Sequence, residues 1–223
     1  MRSMRDQRLV STGALAVAAE PLRRPSIAVE SRLRRTLDIG LALMAIVLLA
    51  PLLVIAAIAI KLDSAGPVIF RQRRNGLNGI PFVIFKFRTM TVLEDGPAFT
   101  QAQRGDRRVT RVGRLLRRSS IDELPQLFNV LKGDMALVGP RPHPLALDNH
   151  YKGLIATYSY RFHVKPGITG WAQINGLRGE TSRPEQMDER ITHDLWYINH
   201  WSLRLDIYIL LRTCLEVLLI RAY

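Results

Sequence analysis

The sequence predicts an α+β protein: a mostly helical cytoplasmic domain with a short β-hairpin, anchored by a proline-broken re-entrant membrane helix and by amphipathic interfacial helices. Three observations carry this expectation. Residues 39–60, IGLALMAIVLLAPLLVIAAIAI, hold no charged or strongly polar side chain. Beyond them, apolar residues recur at helical spacing in several stretches, and one extended stretch with two Asn-Gly turn signals reads as a hairpin. The 223-residue chain carries 32 Lys+Arg against 19 Asp+Glu, a net charge of +13, yet its mean hydropathy is +0.04, so the apolar residues are concentrated in one place.

The order of elements follows from these patterns. Residues 1–33 are arginine-rich, poor in aromatics and interrupted by Pro21 and Pro25, which predicts a flexible basic arm near anionic lipid. Residues 34–62 form the membrane segment. As one straight helix, 39–60 would run about 33 Å, enough to cross a bilayer core of about 30 Å. Pro51 interrupts its middle, however, and both flanks are basic: Arg32, Arg34 and Arg35 before, Lys61, Arg71, Arg73 and Arg74 after. Positive flanks favour the cytoplasmic side, so a helix that breaks at Pro51 and leaves through the face it entered satisfies both facts. The remaining residues, 63–223, form the cytoplasmic domain. Val68 to Phe70, the turns Asn75-Gly76 and Asn78-Gly79, and the run 81–87 predict the hairpin. Residues 94–106 read as a loop, 109–118 as a helix lined by arginines, and 125–132 as a helix closed by Gly133. The segments VGPRPHP at 138–144 and PGITGW at 166–171 read as rigid turns. Helices are expected at 183–199 and 203–220, the last amphipathic and either lying on the membrane or packed under the hairpin.

Composition narrows the function. A single cysteine, Cys214, excludes an internal disulfide framework and a cysteine-based metal site. All but five of the basic residues are arginine, whose planar fork suits phosphate and carboxylate, although a GC-rich genome gives the same bias. The excess charge points to nucleic acid, an anionic membrane face or a phosphorylated substrate. The sharpest local feature is SSIDELP at 119–125. It has two readings: a capping box with Ser120 as N-cap and Glu123 at N3, or a carboxylate nucleophile, Asp122, beside arginines that neutralise a diphosphate. Lys86 and Arg88 share a strand face and could clamp phosphate or simply face solvent. Arg141, between Pro140 and Pro142, has a nearly fixed backbone. Asp194 carries no local signal above a surface acid, and His143, His163 and His193 lack metal-ligand spacing.

Five stretches in order, KFRTM at 86–90, TRVGR at 110–114, SIDELPQLFNVLKGDM at 120–135, VGPRP at 138–142 and KPGITGWAQ at 165–173, resemble the bacterial sugar transferase family, the monotopic phosphoglycosyl transferases, from about Arg34 to Tyr223. The resemblance implies transfer of a sugar-1-phosphate from a UDP-sugar to undecaprenyl phosphate with release of UMP, at the cytoplasmic face of the bacterial inner membrane. That is an initiating step of exopolysaccharide or O-antigen-type glycan synthesis. It also implies that Asp122 is nucleophile and metal-contacting carboxylate, Glu123 its partner, and Mg2+ the cofactor. Lys86, Arg88, Arg117, Arg141, Arg161 and Asp194 fall on motif positions of the polar site, as substrate-binding residues. The family's membrane helix is re-entrant and breaks at a Ser-Pro pair; here the pair is Ala50-Pro51. The chain resembles the small, single-domain form, with anionic membrane lipid as a further partner and a homo-oligomer compatible with it. The competing class is a non-catalytic, membrane-anchored basic protein binding nucleic acid or anionic lipid. It explains the charge but not the acidic pair, and no basic-aromatic interleaving suggests a base-stacking platform, so no nucleic-acid partner is expected.

Overall fold

A computed structural model of the protein describes residues 31–91, 105–179, 181 and 183–218. The basic arm expected at 1–33 lies, up to residue 30, outside the described residues, as does most of the loop expected at 94–106.

The apolar stretch forms one uninterrupted helix, α1 (Arg32–Asp63), so the break expected at Pro51 is corrected: Pro51 sits inside the helix, with helical residues on both sides. Ser31 caps it, its hydroxyl accepting from the Arg34 amide at 3.3 Å. Positions 34, 35, 38, 42, 45, 46, 49, 52, 53, 56, 57, 60 and 63 form a buried or half-buried stripe at helical spacing. The opposite face leaves Leu43, Met44, Val47, Leu48, Val54, Ile55 and Ile58 exposed.

Both ends of α1 are fastened to the domain that follows. At the start, Arg34 is 5% exposed: its Nε lies 3.1 Å from Asp206, and its Nη2 donates to the Val138 carbonyl at 2.6 Å and to the Tyr197 hydroxyl at 3.0 Å. Arg35 donates to the Val130 and Leu131 carbonyls at 2.6 and 2.9 Å. At the far end, the Asp63 carboxylate accepts from the Val112 amide at 3.1 Å. Ala42 joins a large core cluster with Ile84, Val130, Met135, Tyr158, Met187 and Ile209, while Ala56 and Ile60 join a smaller one with Phe87 and Leu116.

The hairpin pairs β1 (Ile69–Asn75) with β2 (Pro81–Phe87), from Ile69 opposite Phe87 to Asn75 opposite Pro81. Asn78 and Gly79 supply the positive φ its connection needs. Next come α2 (Arg111–Arg118), capped by Thr110, and α3 (Gln126–Lys132), closed by Gly133 at φ 93°. Asn129, fully buried on α3, donates its amide to the Val83 carbonyl at 2.7 Å and accepts from the Phe85 amide at 2.9 Å. It thus bonds β2 as a neighbouring strand would, and fixes where Lys86 emerges.

The expectation of a turn at 166–171 is corrected. Residues Gly167–Thr169 form β4, parallel to β3 (Ala136–Val138), followed by a short helix, α5 (Trp171–Ile174). The expectation of a turn at 138–144 is met after β3 ends. That loop leads into α4 (Leu145–Lys152), which the sequence reading missed, as it did the 3-10 turn Tyr158–His163. The last helices, α6 (Pro184–Asn199) and α7 (Leu203–Leu218), lie close to the expected ranges. Ile207, Tyr208, Leu211 and Leu215 form an exposed apolar face on α7.

Candidate active site

The acidic pair does not form a capping box. Ser120 adopts a left-handed conformation, φ 59°, and its hydroxyl is buried with no hydrogen-bond partner. Residues Ile121–Glu123 form a 3-10 turn instead. Pro125 then precedes α3 rather than sitting inside it, so its missing N–H costs the helix nothing.

The turn separates the two carboxylates. Glu123, 6% exposed, faces inward and is held by three cations. Lys86 Nζ lies 2.9 Å from Oε1, Arg141 grips both oxygens (Nη1 to Oε2 3.1 Å, Nη2 to Oε1), and Arg178 Nη2 reaches Oε2 at 3.0 Å. Asp122 is half-buried and makes no hydrogen bond or ion pair with any described residue. Burial, then the charge of Glu123, push its carboxyl up to about 6, against the pull of Lys86, Arg117 and Arg178. Glu123 goes the other way: burial alone would raise it, but Arg141, Lys86 and Arg178 hold it well below the usual carboxylate range. Burial lowers the Lys86 ammonium, with Glu123 opposing. Arg117, in the last turn of α2, places Nη1 3.6 Å from the Met90 sulfur and acts on Asp122 through its charge.

Of the expected site residues, Lys86, Arg117, Asp122, Glu123 and Arg141 are therefore brought together. Arg88 is not. The strand ends at Phe87, and the Arg88 guanidinium, 3% exposed, turns to the C-terminus of α1, donating to the Ala65 and Ser64 carbonyls at 2.6 Å each and to Ile60 at 3.4 Å. Gly66, at φ +119°, makes room for it: a Cβ there would lie 2.1 Å from Arg88 Nη1. Arg161 and Asp194 are also buried, paired with each other at 2.9 Å. Arg161 meets the site only by donating to the Arg141 carbonyl at 2.5 Å. Sequence reading missed Arg178, which sits in the turn after α5 and meets Glu123 across 55 residues of chain, and Asn129, a buried polar residue of α3.

Four cations gathered around two carboxylates suit the charge of a diphosphate. Together with the exposed apolar flank of α1, these features fit the class of a membrane-associated protein that handles a phosphorylated substrate. The chain belongs to the bacterial sugar transferase family, an enzyme family whose pattern it matches over residues 29–219. It is 57% identical over 189 residues to the UDP-glucose:undecaprenyl-phosphate glucose-1-phosphate transferase of Caulobacter vibrioides, covering 85% of this chain and 70% of that protein. Identity is 52% to the Escherichia coli K12 protein of the same name, over 85% of this chain but 41% of the relative. The exopolysaccharide production protein PSS of Rhizobium leguminosarum bv. phaseoli is 44% identical, over 83% of this chain and 95% of its own length. The chain thus spans most of some relatives and less than half of others.

Proposed function

We propose that the protein transfers glucose-1-phosphate from UDP-glucose to undecaprenyl phosphate, releasing UMP, as the first membrane step of an exopolysaccharide. One observation carries the mechanism: of two adjacent carboxylates, Glu123 is bound by three cations while Asp122 has no hydrogen-bond or ion-pair partner among the described residues. A nucleophilic oxygen must be free of such ties, and a structural acid must not be.

In this reading an Asp122 oxygen attacks the β-phosphorus of the donor. The bond from that phosphorus to the bridging oxygen breaks, UMP leaves, and a glucosyl-phosphoryl-aspartate forms. An oxygen of undecaprenyl phosphate then attacks the same phosphorus and frees the Asp122 carboxylate. Lys86, Arg117, Arg141 and Arg178 neutralise the diphosphate, and Glu123 holds three of them in place. Mg2+ fits this arrangement, because it is commonly held by one or two carboxylates plus substrate phosphates, and Asp122 offers a free one. When bound, it would supply charge neutralisation on the transferred phosphoryl group.

The same reading makes α1 re-entrant and the domain cytoplasmic. Its support is that both ends of the helix bond to one folded body. The test is UMP release by the purified protein in nanodiscs, with UDP-glucose and other UDP-sugars, with and without undecaprenyl phosphate and Mg2+, beside Asp122→Asn. Acceptor-dependent release lost in the variant is expected. Near-normal turnover by Asp122→Asn would sink the covalent mechanism.

A further inference from the structure

Two loops grip Glu123, and a single histidine lies between the groups that hold them. The first loop carries Arg141 between prolines; its backbone is anchored where Arg161 Nη2 donates to the Arg141 carbonyl at 2.5 Å. The second carries Arg178; there Arg190 Nη2 donates to the carbonyl of the next residue, Gly179, at 2.6 Å. His143, 4% exposed, fills the space between these two anchoring arginines. Its Nδ1 lies 2.7 Å from Arg161 Nη1 and its Nε2 lies 3.4 Å from Arg190 Nη1.

A guanidinium can only donate and both ring nitrogens face one, so the closer contact takes the acceptor: Nδ1 accepts from Arg161, and the ring proton sits on Nε2, which packs against Arg190 without bonding to it. Burial, together with Arg161, Arg190, Arg74 and Arg141, holds His143 well below its usual range, so the ring is uncharged. The Tyr158 hydroxyl sits 2.7 Å from Nδ1, but its one proton goes to Asp148 at 2.7 Å, so Arg161 is the donor to the ring. Asn75 donates to the other oxygen of Asp148, which is fully buried on α4. The ring thus lies against Tyr158, itself held by α4, on one side and against both anchoring arginines on the other.

We propose that His143 is a positioning residue: an uncharged spacer between Arg161 and Arg190 that sets the separation of the Arg141 and Arg178 loops, and through them the placement of Glu123 beside Asp122. The proposal rests on the reading of these carboxylates as the reacting pair. His143 itself touches neither carboxylate. A longer or charged side chain at this place spreads the two arginines, and one without an acceptor releases Arg161 from the ring.

The test compares His143→Asn, which keeps an uncharged acceptor near the position of Nδ1, with His143→Leu, which fills the space and accepts nothing. Both are measured as the full chain in nanodiscs by UMP release from UDP-glucose with undecaprenyl phosphate. Misplacing catalytic groups by about 1 Å costs on the order of 100-fold. The Leu variant is therefore expected to lose at least tenfold in kcat while KM for UDP-glucose changes less than threefold, with Asn recovering most of the loss. Equal loss in both variants, or a loss confined to KM, overturns the proposal. Should the Leu variant fail to fold, Arg190→Lys, too short to hold Gly179 and flank the ring together, is expected to lower kcat in the same way; an unchanged kcat there overturns the proposal independently. Wild-type protein that releases no UMP brings down the functional reading and this proposal together, whereas an active wild type with an unaffected Leu variant brings down this proposal alone.

Discussion

At the scale of single residues, the adjacent acids differ because their surroundings differ. An aspartate raised to about 6 is ionised only above that pH, so UMP release is expected to rise with pH through about 6 with the slope of one proton. A pH-independent rate between 5 and 8 would exclude Asp122 as the ionised nucleophile. Glu123→Gln removes the like charge beside Asp122 and leaves Lys86, Arg117 and Arg178 acting on it. Both changes favour the ionised form, so the acid limb of whatever activity persists is expected to move to lower pH. The same variant leaves three half-buried cations without their shared carboxylate and is expected to cost stability of up to about 3 kcal/mol, the lower end of the scale for breaking a buried ion pair. Asp122→Asn has the opposite sign. A raised folded-state pKa is a penalty that is present above 6 and absent below the unfolded value near 4. The variant is therefore expected to melt at or above the wild-type temperature at pH 8, with the difference closing towards pH 4, while its UMP release is lost. A variant less stable than wild type at pH 8 would show that the Asp122 charge supports the fold.

At the scale of elements, the question is which of the expected pieces were legible and why. The hairpin was, because Asn-Gly signals and a local partner strand lie within 69–87. So was α3, from its apolar spacing and Gly133. The pair β3 and β4 was not: each strand is three residues long, their pairing joins positions some thirty residues apart, and PGITG reads locally as a turn. The acidic pair was legible because its neighbours in sequence are informative, whereas Arg178 reaches Glu123 only through the fold. Arg88 shows the same limit from the other side. Its spacing from Lys86 suggested one phosphate clamp, yet the end of β2 directs it to the last turn of α1, where it satisfies carbonyls that would otherwise be orphaned. Arg88→Gln is accordingly expected to lower thermal stability, as loss of charge-assisted bonds worth about 1.5–3 kcal/mol would do, with KM for UDP-glucose little changed. A large rise in KM with unchanged stability would return Arg88 to the substrate. Asn129→Leu tests the neighbouring element: unpairing Val83 and Phe85 is expected to destabilise β2 and to lower kcat through Lys86.

At the scale of the whole molecule, the proposed re-entrant topology of α1 draws its support from what the ends of the helix hold. A helix of 32 residues is about 48 Å long, ample to span a bilayer. Spanning would nevertheless place Arg35 and Asp63 on opposite sides of a hydrocarbon core about 30 Å thick. Arg35 caps the carbonyls of Val130 and Leu131, and Asp63 accepts from Val112. Those partners belong to one stretch of chain, 112–131, that includes Arg114, Arg117, Arg118, Asp122 and Glu123. Drawing that stretch across lipid would strip water from Arg114, Arg117, Arg118 and Asp122, at several kcal/mol each. Letting the exposed middle of α1 dip into one leaflet strips water only from Leu43, Met44, Val47, Leu48, Val54 and Ile55. In a Cys214→Ser background, Arg32→Cys and Leu62→Cys are therefore expected to react with a membrane-impermeant maleimide in inverted membrane vesicles and not in intact spheroplasts. Leu48→Cys is expected to be protected in both until detergent is added. Labelling of either end from the outside would mean that the helix crosses. The contacts of Arg35 or of Asp63 would then have to give way in the membrane, taking with them the geometry that holds Glu123.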